Sequence, residues 1–335
     1  MNPIADSTSN GSTDRLFEML NQQQRGFPLV ERPFEWLGAY YRLPVDRIMH
    51  CYQDWLASGV LSRVGGVFNQ AAGGASLLAA MAVPAHDLER VAAIVSGHSG
   101  VNHNYEREHI YNLWFVMTGP NAVAVEAAMQ DLDSQTGYPT LRLPMVRPYR
   151  IDLAFNLTGA LANHAPTKTS THAVPLITAQ QLPLAALSEE GLAIVQQPYM
   201  QWAQSLGWST EAVMACIGRW LESGVLRRFG NVVRHHELGF DCNAMTVFDL
   251  PQDRVDAIGA ALAQTPEVTL AYQRARAPGW NYNLYCMVHG TQRDQVNVVI
   301  ERLLDTHGLR RVPHAVLFSV RRFKQTSARR YRNAA

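Results

Sequence analysis

The chain repeats itself, and that repeat limits what it can fold into more than any other feature. "DWLASGVLSRVGGVFN" (Asp54–Asn69) matches "RWLESGVLRRFGNVVR" (Arg219–Arg234) at a constant offset of 165, so that Trp55, Gly59, Arg63 and Gly65 pair with Trp220, Gly224, Arg228 and Gly230. Further on, "IYNLWFVMTG" (Ile110–Gly119) matches "NYNLYCMVHG" (Asn281–Gly290) at an offset of 171, the extra residues falling around "RAPGW" (Arg276–Trp280). At 335 residues the chain is long for one domain, and the repeat predicts two homologous halves, 13–157 and 183–330. Residues 158–182 between them are rich in Thr, Ala and Pro and read as a linker.

Each half has the same internal order. Short helical segments end in an amphipathic one, Pro44–Gly59 or Ser209–Gly224, with Ser209 as an N-cap and Gly59 and Gly224 as C-terminal glycines. A strand pair is expected to follow across "VLSRVGGVFN" or "VLRRFGNVVR", giving a β-wing and a winged helix-turn-helix over 13–70 and 183–236. Over 71–157 and 237–330 the pattern runs βαββαβ, a ferredoxin-like sandwich. The expected fold class is therefore α+β: a tandem repeat of winged helix-turn-helix plus ferredoxin-like domain. Edge strands of such sheets invite pairing, which leaves pairing within the chain as a pseudo-dimer, between chains as a homo-oligomer, or both.

Composition excludes several function classes. Net charge is +1, which gives no global signal for nucleic acid or an acidic membrane. No apolar run reaches the roughly 20 residues that a bilayer-spanning helix needs, and the polar start "MNPIADSTSNGSTD" lacks a signal-peptide pattern. Cys51, Cys216, Cys242 and Cys286 show no CxxC pair and no histidine at metal-ligand spacing, so no metal site is expected and a reducing, cytoplasmic setting is. No GxxxxGK, GxGxxG in a βαβ unit or GxSxG occurs, and the two lysines, Lys168 and Lys324, lie in linker-like and tail-like surroundings that do not suit a Schiff base. The other 27 of the 29 basic residues are arginines, the side chain suited to bidentate carboxylate recognition.

The site chemistry is concentrated where the halves differ. "RRFGNVVRHHELGF" (Arg227–Phe240) carries Arg228, Arg234, His235 and His236, and alternation puts Arg234 and His236 on one face and His235 on the other. The first half builds the same stretch as "SRVGGVFNQAAGG", keeping Arg63 but having Asn69 for Arg234 and "QA" for the histidine pair, so the scaffold does not require them. Conversely, "VNHNYEREHIYNLW" (Val101–Trp114) places His103, Tyr105, Arg107 and His109 in alternation, whereas the second half has Leu270, Tyr272 and Arg274 and adds Arg276. Divergence of this kind predicts a composite pocket of Arg, His and Tyr, fit to bind a polycarboxylate and deliver a proton near neutral pH.

A winged helix followed by a ferredoxin-like domain resembles the Lrp/AsnC family of transcription regulators. The expected recognition helices nonetheless offer few basic groups, Arg47 and His50 beside Asp46 and Asp54, and Arg219 beside Glu211 and Glu222. A DNA reader needs cationic or polar contacts to phosphate there, so no DNA partner is expected. The tail "RRFKQTSARRYR" is expected to be solvated.

Three stretches together sharpen the resemblance: "RRFG-x-V-x-RH…GF-x-x-NAM" (Arg227–Met245), "HNY-x-R…YNLWF" (His103–Phe115) and "YNL-x-CMVHG" (Tyr282–Gly290). They resemble the sirohaem decarboxylases, Lrp/AsnC-like proteins of d-type haem biosynthesis, in the form with both subunits fused. The resemblance implies loss of the C12 and C18 acetate carboxyls of sirohaem, giving 12,18-didecarboxysirohaem, with the iron tetrapyrrole as substrate, no separate cofactor, no membrane, and other d-type haem biosynthesis enzymes as partners. It implies that His235 or His236, together with His103, supplies the acid or polarising groups, or that one histidine contacts the substrate iron. Arg107, Arg228, Arg234, Arg274 and Arg276 would bind carboxylates, and Tyr105 and Tyr272 would line the ring edge. Second-half members of the family often have a cysteine before the tyrosine at 272; here Ala271 stands there, which argues against a catalytic role for that position. An effector-responsive regulator and a non-catalytic tetrapyrrole carrier remain the alternatives.

Overall fold

The computed structural model describes residues 10–151, 174–233, 242–326 and 330–331. The first half opens with α1 (Asn10–Gln22), α2 (Pro33–Tyr41) and α3 (Val45–Ala57), then β1 (Leu61–Phe68). Its sandwich follows as β2 (Ala75–Met81), α4 (Leu88–Gly97), β3 (Val101–Arg107), β4 (Leu113–Gly119), α5 (Ala122–Thr136) and β5 (Leu141–Ile151). The second half repeats this as α6 (Leu182–Glu190), α7 (Pro198–Leu206), α8 (Thr210–Glu222) and β6 (Leu226–Val233), then β7 (Cys242–Phe248), α9 (Gln252–Gln264), β8 (Val268–Arg274), β9 (Leu284–Gly290), α10 (Arg293–Thr306) and β10 (His314–Gln325). Ser209 caps α8 by accepting from the Ala212 N–H. Gly59 (φ 80°) and Gly224 (φ 75°) follow α3 and α8 in the left-handed region, where glycine carries no β-carbon penalty.

The helical regions of both halves share one hydrophobic core. Phe27, Phe34 and Tyr52 from the first half and Tyr199, Trp202, Trp220 and Phe229 from the second belong to a single buried cluster. The expected wing hairpins do not form. Each half contributes one strand instead, and β1 pairs with β6 antiparallel, Gly65 facing Gly230. The first helices are exchanged over this ribbon. The segment after α1 reaches the second half's strand, with Asn231 N–H donating to the Gln23 carbonyl (2.7 Å) and Phe27 N–H to Phe229 (3.1 Å). The segment after α6 does the same on β1, Leu192 N–H donating to Val64 (2.7 Å). Glycine is required at the crossing, because a β-carbon on Gly230 would collide with the Gln23 carbonyl oxygen, and one on Gly65 would lie 2.5 Å from that of Ser188. The hairpin expectation failed because the apolar, glycine-centred strand finds its neighbour in the other repeat.

The two four-stranded sheets join along both edges. β10 pairs with β3 and β5 with β8, closing an eight-stranded antiparallel barrel in the order β10-β3-β4-β2-β5-β8-β9-β7. Closure removes the exposed sheet edges. Strand faces divide cleanly: one set packs on the helices, Phe115 clustering with Val95 of α4 in the first half and Cys286 with Val255 of α9 in the second. The other set (Leu78, Trp114, Leu143, Met245, Tyr272, Tyr285, Leu317) fills the barrel. Because every neighbouring pair is antiparallel, equivalent strands run the same way. The starts of β2, β3, β7 and β8 therefore share the end of the barrel reached from the helical layer. The loops 108–112 and 275–283 close the other end.

Two further expectations are corrected. The stretch read as the end of the linker is packed, with Ile177 N–H donating to the Ala72 carbonyl (3.1 Å) and Val174 and Ile177 against the helical core. The tail is not wholly solvated either. Tyr331 is buried beside Phe68 (ring centroids 4.9 Å), and the buried Glu189 carboxylate accepts from the Arg330 N–H (2.8 Å) and Tyr331 N–H (3.0 Å). Two backbone donors beside an apolar slot hold the tail more firmly than a basic sequence suggests.

Gly230→Ala should destabilise the fold by about 1–3 kcal/mol through overpacking at the crossing. Gly218→Ala, where nothing lies within 4 Å, should be neutral or stabilise its helix by up to about 1 kcal/mol. Urea denaturation of the two variants checks both outcomes.

Candidate active site

Five of the residues singled out from sequence face the inside of the barrel. On β3, Asn104 turns outward and donates to the Ala92 carbonyl on α4 (3.2 Å), so the alternate residues His103, Tyr105 and Arg107 face inward. Tyr272 and Arg274 occupy the equivalent places on β8, and Tyr272 stacks on Tyr285 (centroids 5.5 Å, 18°). The Arg107 guanidinium lies 5.7 Å from the Tyr105 ring and that of Arg274 4.7 Å from Tyr272. Each arginine also crosses a seam between the halves, Arg107 donating to the Leu317 carbonyl (2.9 Å) and Arg274 to that of Leu143 (2.7 Å). The two seam bonds place groups from both halves in one barrel, so the cluster is composite.

Both guanidiniums are buried, and among the described residues neither has a carboxylate partner. Burial drives the Arg107 pKa down to about 10, and Arg274 shifts the same way for the same reason. Among the described residues, Nε of Arg274 is buried without a hydrogen-bond partner. Tyr105 moves up to about 12, chiefly because burial disfavours its phenolate. A buried cation with no counter-charge among the described residues is costly, and an anionic ligand would offset that cost.

His103 lies near the barrel end that faces the helical layer, its ring stacked 6.3 Å from Tyr105. Nδ1 stands 2.6 Å from Asn102 Oδ1, which orients the ring. A second histidine at this end escaped the sequence reading. His289, on β9, places Nδ1 2.8 Å from the Thr269 hydroxyl, which itself donates to the Met287 carbonyl. Its counterpart in the first half is Thr118, bonded to Asn102 where His289 meets Thr269. "FVMTG" against "CMVHG" carried that signal, the same between-halves difference that singled out His103.

The other expected residues are placed elsewhere. Arg228 is buried in the helical layer and donates to the carbonyls of Gln24 and Asn231 (both 2.8 Å). Its repeat partner Arg63 does the equivalent at Gly66 (2.8 Å). Arg276 clamps the loop at the far end, bonding Asp249 (2.5 Å) and the carbonyls of Asn281 and Leu250 (both 2.7 Å). Neither joins the barrel cluster. Arg234, His235 and His236 lie outside the described residues; Cys242, which follows them, opens β7 at the same barrel end as His103. His109, fourth in the alternation, leaves the strand and packs edge-on against Trp280 (5.3 Å), its own repeat counterpart.

Comparison with known proteins identifies the chain. A model of the AsnC-like ligand binding domain matches residues 71–150 and 237–324, and a siroheme decarboxylase NirDL-like HTH domain matches 184–227. The siroheme decarboxylase NirDL subunit of Paracoccus pantotrophus is 37% identical over 315 residues, covering 92% of this chain and 95% of that protein. The chain belongs to the sirohaem decarboxylase family. The NirL subunit of Stutzerimonas stutzeri is 49% identical over 151 residues, 45% of this chain and 89% of its own length, as expected if the family's separate subunits correspond to the halves here. A crystal structure of the siroheme decarboxylase NirDL in co-complex with an iron-uroporphyrin III analogue superposes with a TM-score of 0.69 at 25% identity, covering 95% of this chain and 94% of that one.

Burial holds the His109 pKa below its ordinary value. A histidine that is harder to protonate folded than unfolded contributes stability above about pH 6.5, and that stability is lost as pH falls below it. His109→Phe should therefore reduce the fall in Tm between pH 7 and pH 5. Thermal melts of wild type and variant at the two pH values test this.

Proposed function

We propose that the chain is a carboxy-lyase that decarboxylates sirohaem in d-type haem biosynthesis, removing the C12 and C18 acetate carboxyls. The observation that carries this is the pair of buried guanidiniums, Arg107 from one half and Arg274 from the other, each without a carboxylate partner among the described residues. A carboxylate-rich tetrapyrrole is the ligand class that such a pair suits. Family membership supplies the substrate class.

The reaction needs little machinery. An acetate R–CH2–COO⁻ loses carbon dioxide, and the electron pair of the broken C–C bond passes to the conjugated macrocycle. One proton then completes the methyl group, R–CH2–COO⁻ + H⁺ → R–CH3 + CO2. Tyr105 and Tyr272 line the ring edge, and Arg107 and Arg274 hold carboxylates in register. His103, its ring oriented by Asn102, delivers the proton; His235 or His236 is its partner in this role. Arg228 and Arg276, committed to carbonyls and to Asp249, serve as scaffold in this reading, and Arg234 retains the carboxylate-binding role its sequence position suggests.

Anaerobic incubation with sirohaem should yield a product lighter by two carbon dioxides; an unchanged mass with folded protein defeats the proposal. His103→Ala should lower kcat about 10²–10⁴-fold, the usual contribution of a general acid. Arg107→Met and Arg274→Met should weaken binding more than tenfold yet leave stability level or raised, since each removes an uncompensated buried charge. Mass spectrometry of the product, Soret titration and urea denaturation measure the three effects.

A further inference from the structure

The two seams that close the barrel share a scaffold and differ in chemistry. Arg322 stands opposite Tyr105 across β10 and β3 as Pro148 stands opposite Tyr272 across β5 and β8, with the same register shifts on either side. Three cations of β10 lie in this stretch, and two have a counterpart on β5. Arg321 pairs with Glu89 on α4 (2.6 Å) as Arg147 pairs with Asp256 on α9 (2.9 Å). Lys324 donates to the Ser96 carbonyl at the end of α4 (2.6 Å) as Arg150 does to Thr265 just past α9 (2.9 Å). Those four side chains tie the seam strands to the helices in both halves. The third cation, Arg322, corresponds to Pro148.

Residues directly opposite in an antiparallel pair project from the same face. Arg322 therefore lies on the inward face with Tyr105, and Gln325, opposite His103, lies there too. Arg322 donates to the Gln325 side-chain oxygen (3.0 Å), so the two run side by side along the strand that bears the histidine. Arg107 is buried farther along β3, whereas Arg322 is exposed at the rim, where a carboxylate arriving from solvent meets it. A cation and a histidine thus occur together at one seam, and Pro148 and Leu270 occupy their places at the other.

We infer that Arg322 is a specificity-determining residue, binding the propionate that shares a ring with the acetate presented to His103. The inference rests on the proposed sirohaem activity. Each ring of a type III tetrapyrrole carries one acetate and one propionate on adjacent carbons, so either reacting acetate brings a propionate beside it. Charge decides between the two carboxylates. An acetate that leaves as carbon dioxide passes its negative charge to the macrocycle. A guanidinium bound to it would stabilise the ground state more than the transition state and slow the step. On the neighbouring propionate the ion pair persists throughout and holds the ring in place.

Soret titration with two haems separates the carboxylates. Iron uroporphyrin III carries both kinds, and iron coproporphyrin III keeps the propionates but has methyl groups for the acetates. Arg322→Met in the full-length chain should weaken both about tenfold, the loss of one charge-assisted bond. Arg321→Met, which removes only the pairs with Glu89 and Glu106, should weaken neither. A loss confined to iron uroporphyrin III puts Arg322 on the acetate and overturns the inference. Unchanged affinity for both haems, an equal loss with Arg321→Met, or wild-type protein that binds iron uroporphyrin III alone also overturns it. In anaerobic turnover of sirohaem, Arg322→Met should raise KM about tenfold and keep kcat within about threefold; a lower kcat at unchanged KM counts against it. Arg322-dependent binding of both haems with no carbon dioxide lost from sirohaem defeats the activity reading and leaves the propionate contact. Binding of neither haem by wild type defeats both.

Discussion

The antiparallel contact of Gly65 with Gly230 is the point on which the rest of the arrangement depends. It lets two backbones, and the helix-capping segments of the opposite halves, approach more closely than any side chain would allow. Once β1 and β6 are paired, the first helices are exchanged and the helical regions fuse into one core. The connections to both sheets then start from one place. The barrel seams β10·β3 and β5·β8 extend that registration, and Arg107 and Arg274 bond across them. The same two arginines that stitch the halves are the buried cations of the candidate site. Structural and functional roles are thus combined in one pair of side chains, which explains why each guanidinium meets carbonyl oxygens and tyrosine rings in place of an acid.

Duplication followed by divergence accounts for the distribution of chemistry. Positions that hold the scaffold stay alike in the two halves. Asn112 and Asn283, for example, bracket the backbone of Val83 and Leu250 with the same pair of bonds. Positions that carry chemistry part company: His103 against Leu270, His289 against Thr118, His109 against Trp280. The tail adds a further asymmetry, since Arg330 and Tyr331 pack on Gly74 and Phe68 of the first half. A symmetric scaffold with asymmetric decoration suits a substrate whose own symmetry is broken.

Much of this was legible in the sequence. Element order, the two halves and the inward alternation of His103, Tyr105 and Arg107 followed from repeat spacing and period-two patterning, which depend on local geometry. The failures share one cause. The wing strand was expected to fold back on its own half, and the tail to remain in solvent, because pattern reasoning sees neighbours in sequence. Arg228 and Arg276 looked like ligand groups by residue type alone, until carbonyls and Asp249 were seen to occupy them.

The sequence by itself determined that this is a duplicated α+β chain whose halves share a scaffold and divide an Arg, His and Tyr inventory. That information is written in residue type and periodicity, which act over a few residues. Only the tertiary structure decided that β1 pairs with β6, that the sheets close into a barrel, that Arg107 and Arg274 are buried with no carboxylate partner among the described residues, and that Arg330 and Tyr331 pack against Gly74 and Phe68. Those outcomes join residues more than 110 positions apart, and burial, contact and the desolvation of a charge exist only once such residues meet.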